Sequence, residues 1–200
     1  MRKTPQEFKR LEVKKVINRT LGESKTVLGP IFIKAEEEFS SGATLTSFSF
    51  RISGPRIEDV TLSNIPGKGF VDGIFRGLDK YFTPDFPSLK KIRLSDFKVN
   101  PSFSNSRKSM GTDAQATVVL SVHVSDHGIA EFCHKSRSMM YSSFVSALNA
   151  YQFYVNCERS FDKIQFFLKD ARERNRGDIV SQCTYNLSRL TEVNTYERKV

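Results

Sequence analysis

The chain has 200 residues, of which 38 % are hydrophobic, and it carries a formal net charge of +9. That composition supports a real core and excludes a chain disordered by composition. No segment approaches the ~20 consecutive apolar residues of a membrane helix, so no membrane association is expected. Phe contributes 17 residues and Trp none, so Phe and Tyr supply the bulk.

From Pro5 to about Asn18, Phe8, Leu11, Val13, Val16 and Ile17 recur among Lys, Arg and Glu. The spacing predicts an amphipathic helix with Pro5 at its first position, ending near Gly22. Thr26–Phe39 is strand-like, and Gly29-Pro30 inside it marks an edge or bulged strand. From Ala43 to Ser53, Thr46, Phe48, Phe50 and Ile52 alternate with Ser47, Ser49 and Arg51, the period of a half-buried strand. Ile57–Ile65 is predicted as a third strand. After Pro66-Gly67-Lys68-Gly69, Val71, Ile74, Phe75, Leu78 and Phe82 recur at helical spacing, and Pro84 ends the run.

The order then repeats. In Leu89–Asn100, Ile92 and Leu94 share a face, and Phe97 and Val99 take up the opposite phase. A bulge near Ser95-Asp96 reconciles the two. Pro101–Thr112 is a polar loop. Ala114–Val124 alternates from Ala116 to Val124, Asp126-His127-Gly128 turns, and Ile129–Lys135 is a sixth strand. Met140, Phe144, Val145, Leu148, Tyr151 and Val155 predict a helix from Ser138 to about Asn156. Phe161–Ala171 and Ile179–Leu190 predict a terminal helical hairpin, broken at Arg172–Asp178. The fold class expected is α+β: two βββα units packed together, with an N-terminal helix and a C-terminal hairpin as additions. The expected segments are 1–25, 26–156 and 157–200. Strands and helices do not alternate one by one, which excludes a doubly wound parallel sheet.

Catalytic chemistry finds little footing. There is no GxSxG and no HExxH, and the chain is expected not to be an enzyme. His123, His127, Cys133 and His134 lack the spacing and the carboxylates of a metal site, so no metal or cofactor is expected. Cys133, Cys157 and Cys183 are widely spaced and odd in number, which suits free thiols and a cytoplasmic setting. The N-terminus leads into charged residues and not into an apolar signal region. Gly67-Lys68-Gly69 before a helix is a fragment of a phosphate loop. Its glycines allow close backbone approach, and the helix start offers free N–H groups to an anion such as a carboxylate. The positive charge leaves a nucleic-acid-binding module as the alternative class.

Four stretches resemble one family. Residues 66–78, PGKGFVDGIFRGL, resemble the GxGPVDAxxxAL signature of the regulatory domain of α-isopropylmalate and citramalate synthases. Ser95-Asp96-Phe97-Lys98-Val99 is similar to that domain's LxDYxV strand. Gly111-Thr112-Asp113-Ala114-Gln115-Ala116 is similar to its GxDAxA turn, and residues 143–149 to its closing helix. Order and spacing agree over about residues 43–156. The resemblance implies an allosteric domain of leucine biosynthesis with two βββα units. It implies a homodimer that binds a small amino-acid effector, leucine or isoleucine, between the units. Carried over, the effector site comprises Gly67, Gly69, Val71, Asp72, Leu94, Phe97, Ala114, Ala116, Phe132 and His134. Phe70 and Gly73 stand where the family has Pro and Ala, and Phe132 lies where it has a small residue. The catalytic barrel is absent, so the chain is expected to sense a ligand or to assemble with a separately encoded synthase; a purely structural dimer whose pocket is filled by Phe70 and Phe132 is the alternative.

Overall fold

Period-two alternation fixes two three-stranded sheets. The computed structural model describes residues 5–102 and 115–196. Strand β1 (Val27–Glu38), β2 (Ala43–Ser53) and β3 (Glu58–Gly67) form an antiparallel sheet in that order. In β2 the side chains of Thr44, Thr46, Phe48, Phe50 and Ile52 are buried, and the alternate residues face outward. Partners across the sheet share that inner face, Leu28 opposite Ile52 and Val60 opposite Phe50. The bulge expected at Gly29-Pro30 is present, with Ile31 as the extra residue between Pro30 and Phe32. β3 carries a second bulge opposite Thr46 and Phe48. There Asn64 has a φ of 55°, and its N–H donates to Ser47 Oγ at 2.9 Å.

Helix α2 (Phe70–Phe82) closes the first unit. A short 3-10 turn, Pro87–Lys91, leads into β4 (Ile92–Ser102), β5 (Gln115–Val124) and β6 (Gly128–Ser136), again antiparallel in chain order. Ser95 is the extra residue of a bulge between Leu94 and Asp96, where the change of hydrophobic phase predicts one. Its hydroxyl donates to the Ser121 carbonyl at 2.9 Å. The bulge returns Phe97 to the face that Leu94 already occupies.

Helix α3 (Met139–Glu173) is one continuous helix of 35 residues, about 50 Å long at 1.5 Å per residue. This corrects the expectation that one helix stops near Asn156 and another starts near Phe161. The segment contains no Gly or Pro, and Cys157 and Ser160 extend the buried stripe between the two runs. The expected segment boundary between 156 and 157 therefore falls inside a helix. The hairpin pairs the second half of α3 with α4 (Gly177–Leu190). The N-terminal helix α1 (Pro5–Leu21) packs on α3 and α4 through Val13, Val16, Ile17 and Leu21. The architecture is thus α+β, with two βββα units and extra helices at both ends.

One core unites these parts. Phe48 of the first sheet meets Phe144 of α3 edge-on at 5.2 Å. Tyr151 wedges between α2 and α3, its ring 5.7 Å from Phe75 and 6.1 Å from Phe82. Its hydroxyl donates to Asp79 Oδ1 at 2.6 Å. Burial pushes the Asp79 carboxyl above its ordinary range, against the opposing pull of that hydrogen bond.

Backbone groups at the start of β1 and around β6 are met by helix side chains four residues apart. Thr26 N–H donates to Asn156 Oδ1 at 2.8 Å, and Asn156 Nδ2 donates to the Thr26 carbonyl at 2.7 Å. Leu28 N–H donates to Gln152 Oε1 at 2.8 Å. On β6, Gln6 Nε2 donates to the His127 carbonyl at 3.0 Å and the Arg10 guanidinium donates to the Glu131 carbonyl. At these positions the edge groups are occupied and not left open to pair with another chain. No helix among the described residues is long and apolar enough to cross a membrane.

Candidate functional site

The glycines around α2 first serve packing. A Cβ on Gly67 would lie 2.6 Å from the Gly73 nitrogen, and one on Gly73 would lie 2.5 Å from Thr46 Oγ1. A Cβ on Gly77 would lie 2.6 Å from the Phe48 ring. These residues let α2 lie close on β2 and β3. Gly69 differs: nothing lies within 4 Å of its Cβ direction, and its φ of 173° is extended backbone open to any residue. The Asp72 carboxylate turns back to accept from Lys68 N–H at 2.9 Å and pairs with Arg76 Nε at 2.9 Å. One N–H beside the helix start is thus taken by the chain's own carboxylate. The N–H groups of the first turn itself have no intrahelical partner.

This turn borders the second unit. The half-buried Phe70 ring stands edge-on to Phe97 of β4 at 6.4 Å and 87°. Val71 is buried behind it, and Leu94 and Phe97 pack at the margin of the core. The turn thus meets the second unit at a seam between Phe70 and Phe97, whereas Gly67 and Asp72 make their contacts within the turn and α2.

The other expected residues spread across the second sheet. Phe97 pairs with Leu120, and Leu120 with Phe132, so Phe132 lies two strands from the seam, about 10 Å away. The Phe132 side chain is buried under Phe153 and Tyr154, each with its centroid 6.0 Å away. Arg10 of α1 lies over it at 4.8 Å. Phe132 thus belongs to the packing of α1 and α3. His134 turns to the start of α3, where Nδ1 is 3.3 Å from Ser142 Oγ and Tyr141 stands edge-on at 5.4 Å. Ser142 Oγ is 2.7 Å from Ser136 Oγ. Ala116 lies in register with Pro101 and Ser136 at that end of the sheet. Ala114, and the Gly111-Thr112-Asp113 stretch before it, lie outside the described residues.

The histidines do not assemble into a metal centre: no group of three or more His, Cys, Asp or Glu among the described residues is placed to hold an ion. His127 Nε2 is instead 3.0 Å from Thr195 Oγ1.

A concavity that sequence reasoning missed opens between the first residues of β1 and the middle of β6. Helix α1 forms one wall, with Arg10, Lys14, Ile17 and Asn18. Asn149, Gln152, Phe153 and Asn156 of α3 form another, and Lys25, Thr26 and Val27 close it opposite Phe132 and Cys133. Three cations line this cleft, and no carboxylate does so among the described residues. Protein around Lys14 pushes its ammonium below the ordinary range, and repulsion from Arg10 acts in the same direction. The signal in sequence was slight. Arg10, Lys14 and Asn18 lie four apart on one helix stripe, a pattern that a solvated face also shows.

The chain matches no protein-family model, and no curated protein matches it.

Proposed function

We propose that the chain is a non-catalytic regulatory module that dimerises and binds a small amino acid, as the resemblance to the regulatory domain of isopropylmalate and citramalate synthases implies. One observation supports it best. The open turn at Gly69 and the Phe70–Phe97 contact lie where the first βββα unit meets the second. A ligand there touches both units. Its carboxylate accepts from the free N–H groups at the start of α2, favoured by the positive end of the helix. Its aliphatic side chain lies against Phe70, Leu94 and Phe97, and its ammonium meets Asp72. Leucine and isoleucine fit this division of polar and apolar contacts. The target of such a module is a separately encoded synthase that lacks its own regulatory domain, in the cytoplasm, where the three free thiols remain reduced.

A thermal-shift titration with leucine, isoleucine and other small amino acids tests the reading. A ligand at about 100 times its Kd adds roughly 2.7 kcal/mol to native stability. Leucine or isoleucine is expected to raise the melting temperature, and sedimentation is expected to show a dimer. No stabilisation by any small amino acid would remove the sensing role.

A further inference from the structure

We infer that the cleft between β1 and β6 is a second binding site, selective for a small ligand with a compact dianionic group. Three cations, Arg10, Lys14 and Lys25, line it, and two of them are held without a carboxylate. Arg10 is fixed by the Glu131 carbonyl and by the face of Phe132. Lys25 Nζ donates to Asn18 Oδ1 at 2.9 Å. Lys14 makes no ion pair or hydrogen bond with the described residues; the protein around it disfavours its charge, and repulsion from Arg10 adds to this. An anion between Arg10 and Lys14 relieves that repulsion, and Lys25 adds a third positive charge to the same cleft.

The polar wall between them is organised for the same task. Asn156 uses its whole amide on the backbone of Thr26 and Gln152. Gln152 gives only its oxygen to Leu28 N–H, so its NH2 group remains without a partner among the described residues. Phe153 supplies an apolar surface for the body of the ligand. The charge argument separates this site from the seam at Gly69. A zwitterionic amino acid brings an ammonium that the three cations repel. A phosphate monoester or a dicarboxylate brings two negative charges and no cation. The attraction is electrostatic and half-exposed, so it falls as salt rises.

The test is calorimetric titration of the full chain at low ionic strength with inorganic phosphate, with succinate and with leucine. Phosphate or succinate is expected to bind with a Kd of about 1 mM or tighter. Binding of only one of the two assigns the site to phosphate or to carboxylate chemistry, and binding of both supports the shared dianion preference. Lys14→Gln is expected to weaken that binding about tenfold or more with an unchanged melting temperature, because Lys14 is exposed and anchors nothing. Lys34→Gln, paired with Glu36 on β1, is the control and leaves binding intact.

Cys133 gives an independent readout. It lines the cleft and is exposed, whereas Cys157 and Cys183 are buried. Phosphate or succinate is expected to slow its alkylation severalfold in the wild type and not in Lys14→Gln. The inference is overturned if neither anion binds, or if Lys14→Gln binds them as the wild type does. It is also overturned if only a polynucleotide binds, with steep salt dependence. Leucine stabilisation that survives Lys14→Gln belongs to the seam, so the two readings fail separately.

Discussion

Gly67→Ala and Gly69→Ala should behave as opposites, although both alter one motif. At Gly67 the new methyl meets Gly73 N at 2.6 Å and Gly69 O at 2.8 Å. Both are backbone atoms, so no rotamer change relieves the clash, and α2 must shift away from β3. Overpacking of this kind costs ~1–3 kcal/mol, and the upper end applies where backbone must move. The smaller entropy of an unfolded Ala returns ~0.4–1 kcal/mol. The net loss is about 2 kcal/mol, a fall of roughly 4–8 °C in melting temperature for a chain of this length. At Gly69 the methyl enters open space on extended backbone. The weaker cap offered by Ala and the same entropy gain nearly cancel, leaving a change within about 0.5 kcal/mol. Urea denaturation of the two variants beside the wild type reads both numbers. If Gly67→Ala were as stable as the wild type, or Gly69→Ala were the weaker protein, the packing account of this turn would be wrong.

Three further outcomes follow from buried polar contacts. Asn156→Ala removes the partners of both backbone groups of Thr26 and should cost about 3 kcal/mol, with hydrogen-exchange protection lost at the Thr26 amide. Asp79 has a folded pKa raised by burial, so it favours the folded state only below its unfolded pKa, and that contribution is lost as pH rises through the folded value. Asp79→Asn, which keeps an acceptor for Tyr151, should therefore be more stable than the wild type at pH 7, with the gap closing as the pH falls through the carboxyl range; equal denaturation curves at pH 7 would contradict this. A thiol reagent should titrate Cys133 quickly in the native chain and reach Cys157 and Cys183 only after unfolding, since Cys157 is fully buried and its thiol is pushed far above its ordinary range.

Features carried by local period were legible in the sequence. The alternation in β2 and β5, the stripe of α2 and the phase switch at Ser95 each report which face is buried, and each sheet follows from them. What could not be read has a common cause: it depends on which surface meets which. The change of partner along α3, from sheet to α4, leaves the polar residues Asn156, Glu158 and Arg159 between two apolar runs, which resembles a break. Gln152 and Asn156 look like ordinary surface amides until β1 lies beside them, more than 120 residues away in the chain. The glycines of α2 report that something comes close, but not whether it is a ligand or β2. The cleft was hidden for the same reason, since the stripe of Arg10 and Lys14 has meaning only once β6 and Lys25 close around it.

Helix α3 gives these parts a mechanical relation. It packs on β5 and β6 of one unit, holds the edge of β1 of the other, and touches α2 through Tyr151. The dianion cleft borders it at Asn149 and Gln152, and the seam at Gly69 borders the opposite end of α2 from Asp79. A ligand at either place that changes the distance between the units must work against the same helix. Most of the first half of α3 is packed, from Ser142 to Glu158, and packed interiors shift between discrete arrangements and do not deform smoothly. Its second half is less enclosed, with Phe166 largely exposed and α4 as its neighbour. If the two sites are coupled, the coupling is reciprocal. Saturating phosphate or succinate then alters the leucine affinity of the chain by the same factor that leucine alters theirs, and Asn156→Ala, which removes two of the hydrogen bonds that tie the start of β1 to α3, reduces that factor.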